Sequence, residues 1–323
     1  MYLFGLGTFL GLTGATGKYG PKPKTACSSP CRLRHYVTPL LRHYVPARRK
    51  TMNNDKPVLE LEGVQKVFEG RTVLKDINLE VARGETLVII GGSGCGKSTL
   101  LRTIIGEYTP DAGHVILWGQ DFCCGGAHEK DRLRRRFGIL FQSGALYSSM
   151  TVGENVALPL REHTDLDERI IRMIVKMKLE LVGLRDFEDL APSQISGGMR
   201  KRVGLARAIA LDPELLFYDE PTSGLDPIAT SVIDQLIIDL RTKLSVTSVV
   251  VTHDMKSSLR IADRIAMLYN GEFIAIGPPE EFRDPTDERV RQFVQGLADG
   301  PIPLRVSKTD YLEDLLGFEP AAT

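Results

Sequence analysis

Leu87-Val88-Ile89-Ile90 runs without a polar interruption into Gly91-Gly92-Ser93-Gly94-Cys95-Gly96-Lys97-Ser98-Thr99, and this junction decides the fold. A continuous apolar run of that kind reads as a strand buried on both faces of a parallel sheet. The glycine-rich stretch matches the pattern GxxxxGKS/T, and a helix is expected after it. Strand, glycine loop and helix in that order turn the string into a structural statement. Gly91, Gly92, Gly94 and Gly96, with Ser93 and Cys95 between them, let backbone N–H groups wrap a β-phosphate. The helix adds its positive N-terminal end. Lys97 brings a point charge toward the β- and γ-phosphates, the Ser98 hydroxyl suits Mg²⁺, and Thr99 completes the motif. A glycine turn without a ligand is the weaker reading, because Lys-Ser stands at the required spacing. Alone, the motif implies a nucleoside-triphosphatase and nothing finer.

Outward from this junction, residues 58–61 and 72–81 read as strands, with Arg83-Gly84 as a turn. Leu215-Leu216-Phe217-Tyr218 is a second buried strand that ends at Asp219-Glu220, and Val249-Val250-Val251 is a third. Ile170, Ile174, Met177 and Leu181 mark one helical face; Ile228, Val232, Ile233, Leu236, Ile237 and Leu240 mark another. Strands alternating with helices imply an α/β fold with a parallel sheet and crossover helices. Tyr269-Asn270-Gly271 between two short strands is a hairpin signal. An Asp219 carboxylate at the end of a buried strand can reach Mg²⁺ through water, and Glu220 beside it can orient or deprotonate an attacking water. Such a pair is common after apolar strands and takes its meaning from its surroundings. No repeat at a solenoid period appears, and the chain carries one nucleotide-binding set.

The 323 residues are 42% apolar, enough for one large domain or two ordinary ones. Charge is sorted unevenly. Residues 1–54 hold nine of the 41 basic residues and none of the 41 acidic ones. An acid-free start with scattered Arg, Lys and hydroxyl residues has the composition of an organelle transit peptide, expected to be disordered and cleaved before Pro57. A secretory signal is the rival, but no positive charge precedes Leu3. Leu33-Arg34-His35-Tyr36-Val37 recurs as Leu41-Arg42-His43-Tyr44-Val45, read as a duplication under little constraint. Met52 is an alternative internal start. No window reaches the roughly 18–20 apolar residues of a spanning helix, so a membrane role falls to partners. Five cysteines, two of them (Cys27 and Cys31) in the leader, read as unpaired thiols.

Ile195-Ser196-Gly197-Gly198-Met199 lies about twenty residues before the second buried strand and opens a basic helix at Arg200-Lys201-Arg202. It resembles the signature of the ABC family, usually LSGGQ, and the family's other stations occur in order over roughly residues 57–300. Phe68 stands at the adenine-stacking position and Gln142 at the Q-loop. Ser223-Gly224-Leu225-Asp226 matches the D-loop, and His253 the switch histidine. The resemblance implies a P-loop NTPase of ABC type with an antiparallel β subdomain and a helical signature subdomain at about 143–200. The ATPase domain would span 55–285, with a C-terminal helical extension over 286–323. It implies ATP and Mg²⁺ as cofactors, with Ser98, Gln142 and Asp219 at the metal and Glu220, His253, Gln142 and Lys97 catalytic. It also implies a head-to-tail dimer in which Ser196, Gly197, Gly198 and Asp226 help to cover nucleotide. The bland alternatives make Phe68 core, Gln142 and His253 surface residues, and residues 132–136 a solvated basic face.

Within the family, Met199 replaces the usual Gln. Phe141-Gln142-Ser143-Gly144-Ala145-Leu146-Tyr147, Leu158-Pro159-Leu160-Arg161-Glu162-His163-Thr164 and Gly296-Leu297-Ala298-Asp299-Gly300-Pro301 are distinctive. These stretches resemble the ATPase of Mla-type (MlaF-like) lipid transport systems and of their plastid counterpart, the trigalactosyldiacylglycerol lipid importer. That branch implies a membrane permease, an MCE-type lipid-binding subunit, a phospholipid cargo and no nucleic-acid partner. With the acid-free leader it implies the stromal face of the chloroplast inner envelope, the mitochondrion being the alternative. A polar-solute importer ATPase and a soluble non-transport ABC ATPase stay open. Val290, Phe293, Val294 and Leu297 form an apolar stripe, and Tyr311-Leu312 with Leu315-Leu316 another cluster; these either pack back on their own domain or reach a second subunit.

Overall fold

The computed structural model describes residues 56–303. The leader, its cleavage site and the cluster at 311–316 lie outside the described residues.

Strands β1 (Leu59–Phe68) and β2 (Arg71–Val81) form an antiparallel hairpin that pairs Phe68 with Arg71. The connecting Glu69 and Gly70 both have positive φ, 48° and 80°, as a two-residue turn of the primed type requires. Strands β3 (Thr86–Ile90), β4 (Ala112–Leu117) and β5 (Gln120–Asp121) come next, with helix α1 (Lys97–Ile104) between β3 and β4. The antiparallel sheet has the order β2-β1-β4-β5. Helix α2 (Ala127–Arg134) then leads to β6 (Phe137–Leu140).

The helical subdomain holds α3 (Val152–His163), α4 (Glu168–Leu181) and α5 (Gly197–Ala208). The chain returns through β7 (Leu215–Asp219), α6 (Pro227–Leu244), β8 (Thr247–Val251), α7 (Met255–Ile261), β9 (Arg264–Tyr269), β10 (Glu272–Gly277) and α8 (Glu288–Gln295). The second sheet runs β10-β9-β3-β8-β7-β6; the five strands from β9 to β6 are parallel and β10 is antiparallel. Every residue of β3 is buried, and the side chains alternate between two cores. Leu87 and Ile89 join Leu215, Phe217, Val249 and Val251 under the antiparallel sheet. Val88 and Ile90 join Leu216, Tyr218 and Val250 against the helices. Among the described residues, no helix is long and apolar enough to cross a membrane.

Two helical faces overlap the sequence reading only in part, sharing Ile174 on α4 and Ile233, Ile237 and Leu240 on α6. On α4 the buried residues are Ile171, Ile174, Val175, Lys178 and Leu179, while Ile170 is 43% exposed. Lys178 hides the true stripe, because its stem packs like an aliphatic chain while its ammonium pairs with Asp212. On α6 the buried face is Ile233, Asp234, Ile237 and Leu240, and Ile228 is 79% exposed. Asp234 masks that face in the same way: it is buried and held by Ser257 Oγ and Arg260 Nη1. On α8, Val290 is buried in the helix-side core, with Phe293, Val294 and Ile302 packed against it.

Candidate active site

The phosphate loop is shaped by positive-φ glycines. Gly94 and Gly96 have φ of 75° and 110°, and Gly96 caps α1. A Cβ at Gly91 would run into the Leu268 carbonyl and Cys95 Sγ, so the loop lies flat against β9. The β9–β10 turn braces it from below. Asn270 and Gly271 have φ of 49° and 81°, a primed turn, and the Gly271 N–H donates to Cys95 O at 3.2 Å. Lys97 is buried and donates to the loop's own carbonyls, Gly91 O at 2.7 Å and Gly92 O at 2.9 Å. A cavity of about 140 Å³ is lined by Val73 of β2 and by Gly94, Gly96, Lys97, Ser98 and Thr99.

Phe68 lies at the hairpin tip, 38% exposed, which removes the bland alternative that made it core. Tyr108 meets its ring edge-on at 5.3 Å, and Lys66 Nζ stands 5.2 Å from its centroid. The tip therefore offers an aromatic face close to solvent. Tyr108 had no signal in the sequence pattern.

At the C-terminal end of β7, Asp219 Oδ1 is buried and has no partner. Burial first, and then the Glu220 charge, push the Asp219 carboxyl above its usual range, while Arg102 and Lys97 pull it back. An orphaned carboxylate oxygen in that position fits a divalent cation or its water. The Ser98 hydroxyl and the Gln142 amide are both exposed, so their oxygens, of the type Mg²⁺ accepts, are free to meet solvent or a ligand.

Glu220 holds a left-handed backbone, φ 47°, which is uncommon outside glycine. Its N–H donates to Val251 O at 2.8 Å. Its Oε2 accepts from Thr252 Oγ1 at 3.3 Å and lies 2.8 Å from His253 Nδ1. Gln142 Nε2 donates to Ser223 Oγ at 3.4 Å. Asp219, Glu220, Gln142, Ser223 and His253 thus gather at adjoining strand ends of the parallel sheet. Sequence reading missed Thr252.

The signature residues occupy a different place. Ser196 caps α5 by accepting from Met199 N at 3.2 Å, and among the described residues its hydrogen bonds stay within that helix. No residue of the signature lines the phosphate-loop cavity. The Asp226 carboxylate accepts from Ile228 N at 2.9 Å and Ala229 N at 3.0 Å, capping α6. Those backbone bonds hold it below its ordinary range, with the Ala229 bond the larger cause. Its side chain is engaged with its own helix in this single chain. The basic run at 132–136 is not a uniform solvated face either, since Arg136 stacks 3.9 Å from the Trp118 centroid and bonds Glu214.

A family model for ABC transporters matches residues 74–223. The protein cbiO1 of Clostridium perfringens, described as part of the ABC transporter complex cbiONQ, superposes with a TM-score of 0.66 and 30% identity over 71% of this chain and 92% of its own. The dimeric cassette MJ0796 in a post-hydrolysis state with ADP and Pi gives 0.64 and 32%, over 68% and 98%. The chain belongs to the ABC transporter family and is its ATP-binding, ATP-hydrolysing subunit.

Within the family it is similar to the intermembrane phospholipid transport ATP-binding protein MlaF of Haemophilus influenzae, 46% identical over 76% of this chain and 93% of that protein. The Escherichia coli K12 counterpart is 44% identical over 80% and 96%. The probable ribonucleotide transport protein mkl of Mycobacterium leprae is 41% identical over 78% and 73%.

Proposed function

We propose that this subunit drives phospholipid transport across or between membranes, as lipid import at the chloroplast inner envelope, through ATP clamped between two copies. The observation that carries the lipid reading is the similarity to MlaF along 93% of that protein's length. The acid-free leader supports the plastid. In this reading Phe68 stacks on adenine, and the loop amides from Gly91 to Thr99 cradle the phosphates. Lys97 trades its two loop carbonyls for phosphate oxygens.

Ser98, Gln142 and Asp219 would hold Mg²⁺, which when bound neutralises phosphate charge. Glu220 accepts a proton from water as that water attacks the γ-phosphorus, and ADP departs with the bridging oxygen. His253 orients the Glu220 carboxylate and reaches toward the γ-phosphate. Ser196, Gly197 and Gly198 of the second copy close the site with a hydroxyl and helix-end amides. Asp226 acts indirectly, holding the D-loop by its cap.

The similarity to mkl supports a second reading, a polar solute as cargo. Affinity purification of the tagged full chain from fractionated cells separates them. The lipid reading predicts recovery from plastid envelope membranes with a permease and an MCE-type subunit, and ATPase activity stimulated by phospholipid. A permease without an MCE-type subunit, stimulated by nucleotides, would support the second reading. Recovery with ribosomes or assembly scaffolds, or from mitochondria, would refute the proposal or its location.

A further inference from the structure

The basic residues that open and close α5 send their side chains to backbone carbonyls. Arg200 donates to Ile195 O, and Arg202 to Val182 O and Gly183 O. Arg207 donates to Gly144 O at 3.0 Å and Ala145 O at 2.8 Å, at the end of the turn that carries Gln142. Gly204 lets α5 lie against that turn, since a Cβ there would stand 3.0 Å from Gly144 O. Lys201 grips the other loop. Its Nζ donates to Glu220 O at 3.1 Å and to Ser223 O at 2.6 Å, and the residue is 6% exposed.

A lysine ammonium held by carbonyls at such depth is costly to desolvate. Burial accordingly lowers its proton affinity, and the Glu220 charge offsets part of that. The position of the two carbonyls gives the cost a purpose. Glu220 O already accepts from Ser223 N at 3.2 Å, closing a turn whose first residue holds φ 47°. Strained backbone of this kind persists only where its surroundings over-determine it. Lys201 clamps both ends of the turn, and with them the Glu220 carboxylate and the Ser223 hydroxyl that meets Gln142.

We propose that Lys201 is a positioning residue for hydrolysis, tying the signature helix to the Glu220–Ser223 turn so that the Glu220 carboxylate stays aimed at the attacking water. This rests on the assignment of Glu220 as the group that activates water.

The test is steady-state ATPase kinetics and equilibrium ATP binding on the full-length chain carrying Lys201→Met, Lys201→Arg or Glu220→Gln. Lys201→Met keeps the length of the apolar stem and removes only the ammonium, leaving the Glu220 and Ser223 carbonyls without that donor. A displaced carboxylate of the order of 1 Å costs up to about 10²-fold in rate. Lys201→Met is therefore expected to lower kcat about 10–100-fold, with KM and ATP affinity within about threefold of wild type. Lys201→Arg, which keeps charge and donors, is expected to restore most of kcat. Wild-type kcat in Lys201→Met, or an Arg variant as slow as the Met variant, would overturn the proposal. Should Lys201→Met not fold, Lys201→Gln, a shorter neutral donor, is read by the same criteria. Glu220→Gln separates the two levels: if it hydrolyses ATP at a near-normal rate, the Glu220 assignment has failed; if it is slowed as expected while Lys201→Met keeps wild-type kcat, only the Lys201 proposal has.

Discussion

Glu220→Gln is expected to bind ATP as the wild type does and to turn it over about 10²–10⁴-fold more slowly, the usual loss for a general base. That corresponds to roughly 3–5 kcal/mol of barrier. The replacement is nearly isosteric, and an amide oxygen can still accept from Thr252 Oγ1 and from a protonated His253 Nδ1, the partners of Glu220 Oε2. The backbone clamp through Val251 O and Lys201 is untouched. What disappears is the capacity to take a proton. Single-turnover hydrolysis beside nucleotide binding measures the two separately, and near-normal hydrolysis would remove Glu220 from its role.

Lys97→Ala acts one step earlier. It is expected to weaken ATP binding by about 10²-fold or more, the scale of one or two charge-assisted hydrogen bonds. The loss has two parts. The phosphates forfeit a cation in a mostly buried position, where charge is poorly screened. The loop also loses the donor that its Gly91 and Gly92 carbonyls share before nucleotide arrives. Fluorescent-nucleotide titration reads the change. Unaltered affinity would count against the phosphate loop as the nucleotide cradle.

The sequence is most readable where local chemistry leaves few options. The strand Leu87–Ile90 with its glycine loop, the carboxylates after Leu215–Tyr218 and the Asn270–Gly271 turn all lie where their patterns put them, because burial on both faces and positive φ each admit few residue types. The helical faces were less readable. Lys178 and Asp234 occupy buried positions on α4 and α6, and an apolar-periodicity count passes over both. Residues whose role depends on a distant loop were not readable at all. Lys201 finds its partners 19 and 22 positions away, Thr252 meets Glu220 across two strands, and Tyr108 reaches Phe68 from the loop after α1. Asp226 shows the converse, a motif residue whose carboxylate is engaged in capping its own helix.

In the proposed dimer the phosphate loop of one chain and the signature of a second complete a single hydrolytic pocket. ATPase rate per chain, followed by dilution while sedimentation reports the oligomer, is the decisive measurement. The specific rate is expected to fall with concentration as dimers dissociate, and to collapse when Ser196 or Gly197 is replaced. A specific rate unchanged in a sedimenting monomer, with both residues dispensable, would contradict it.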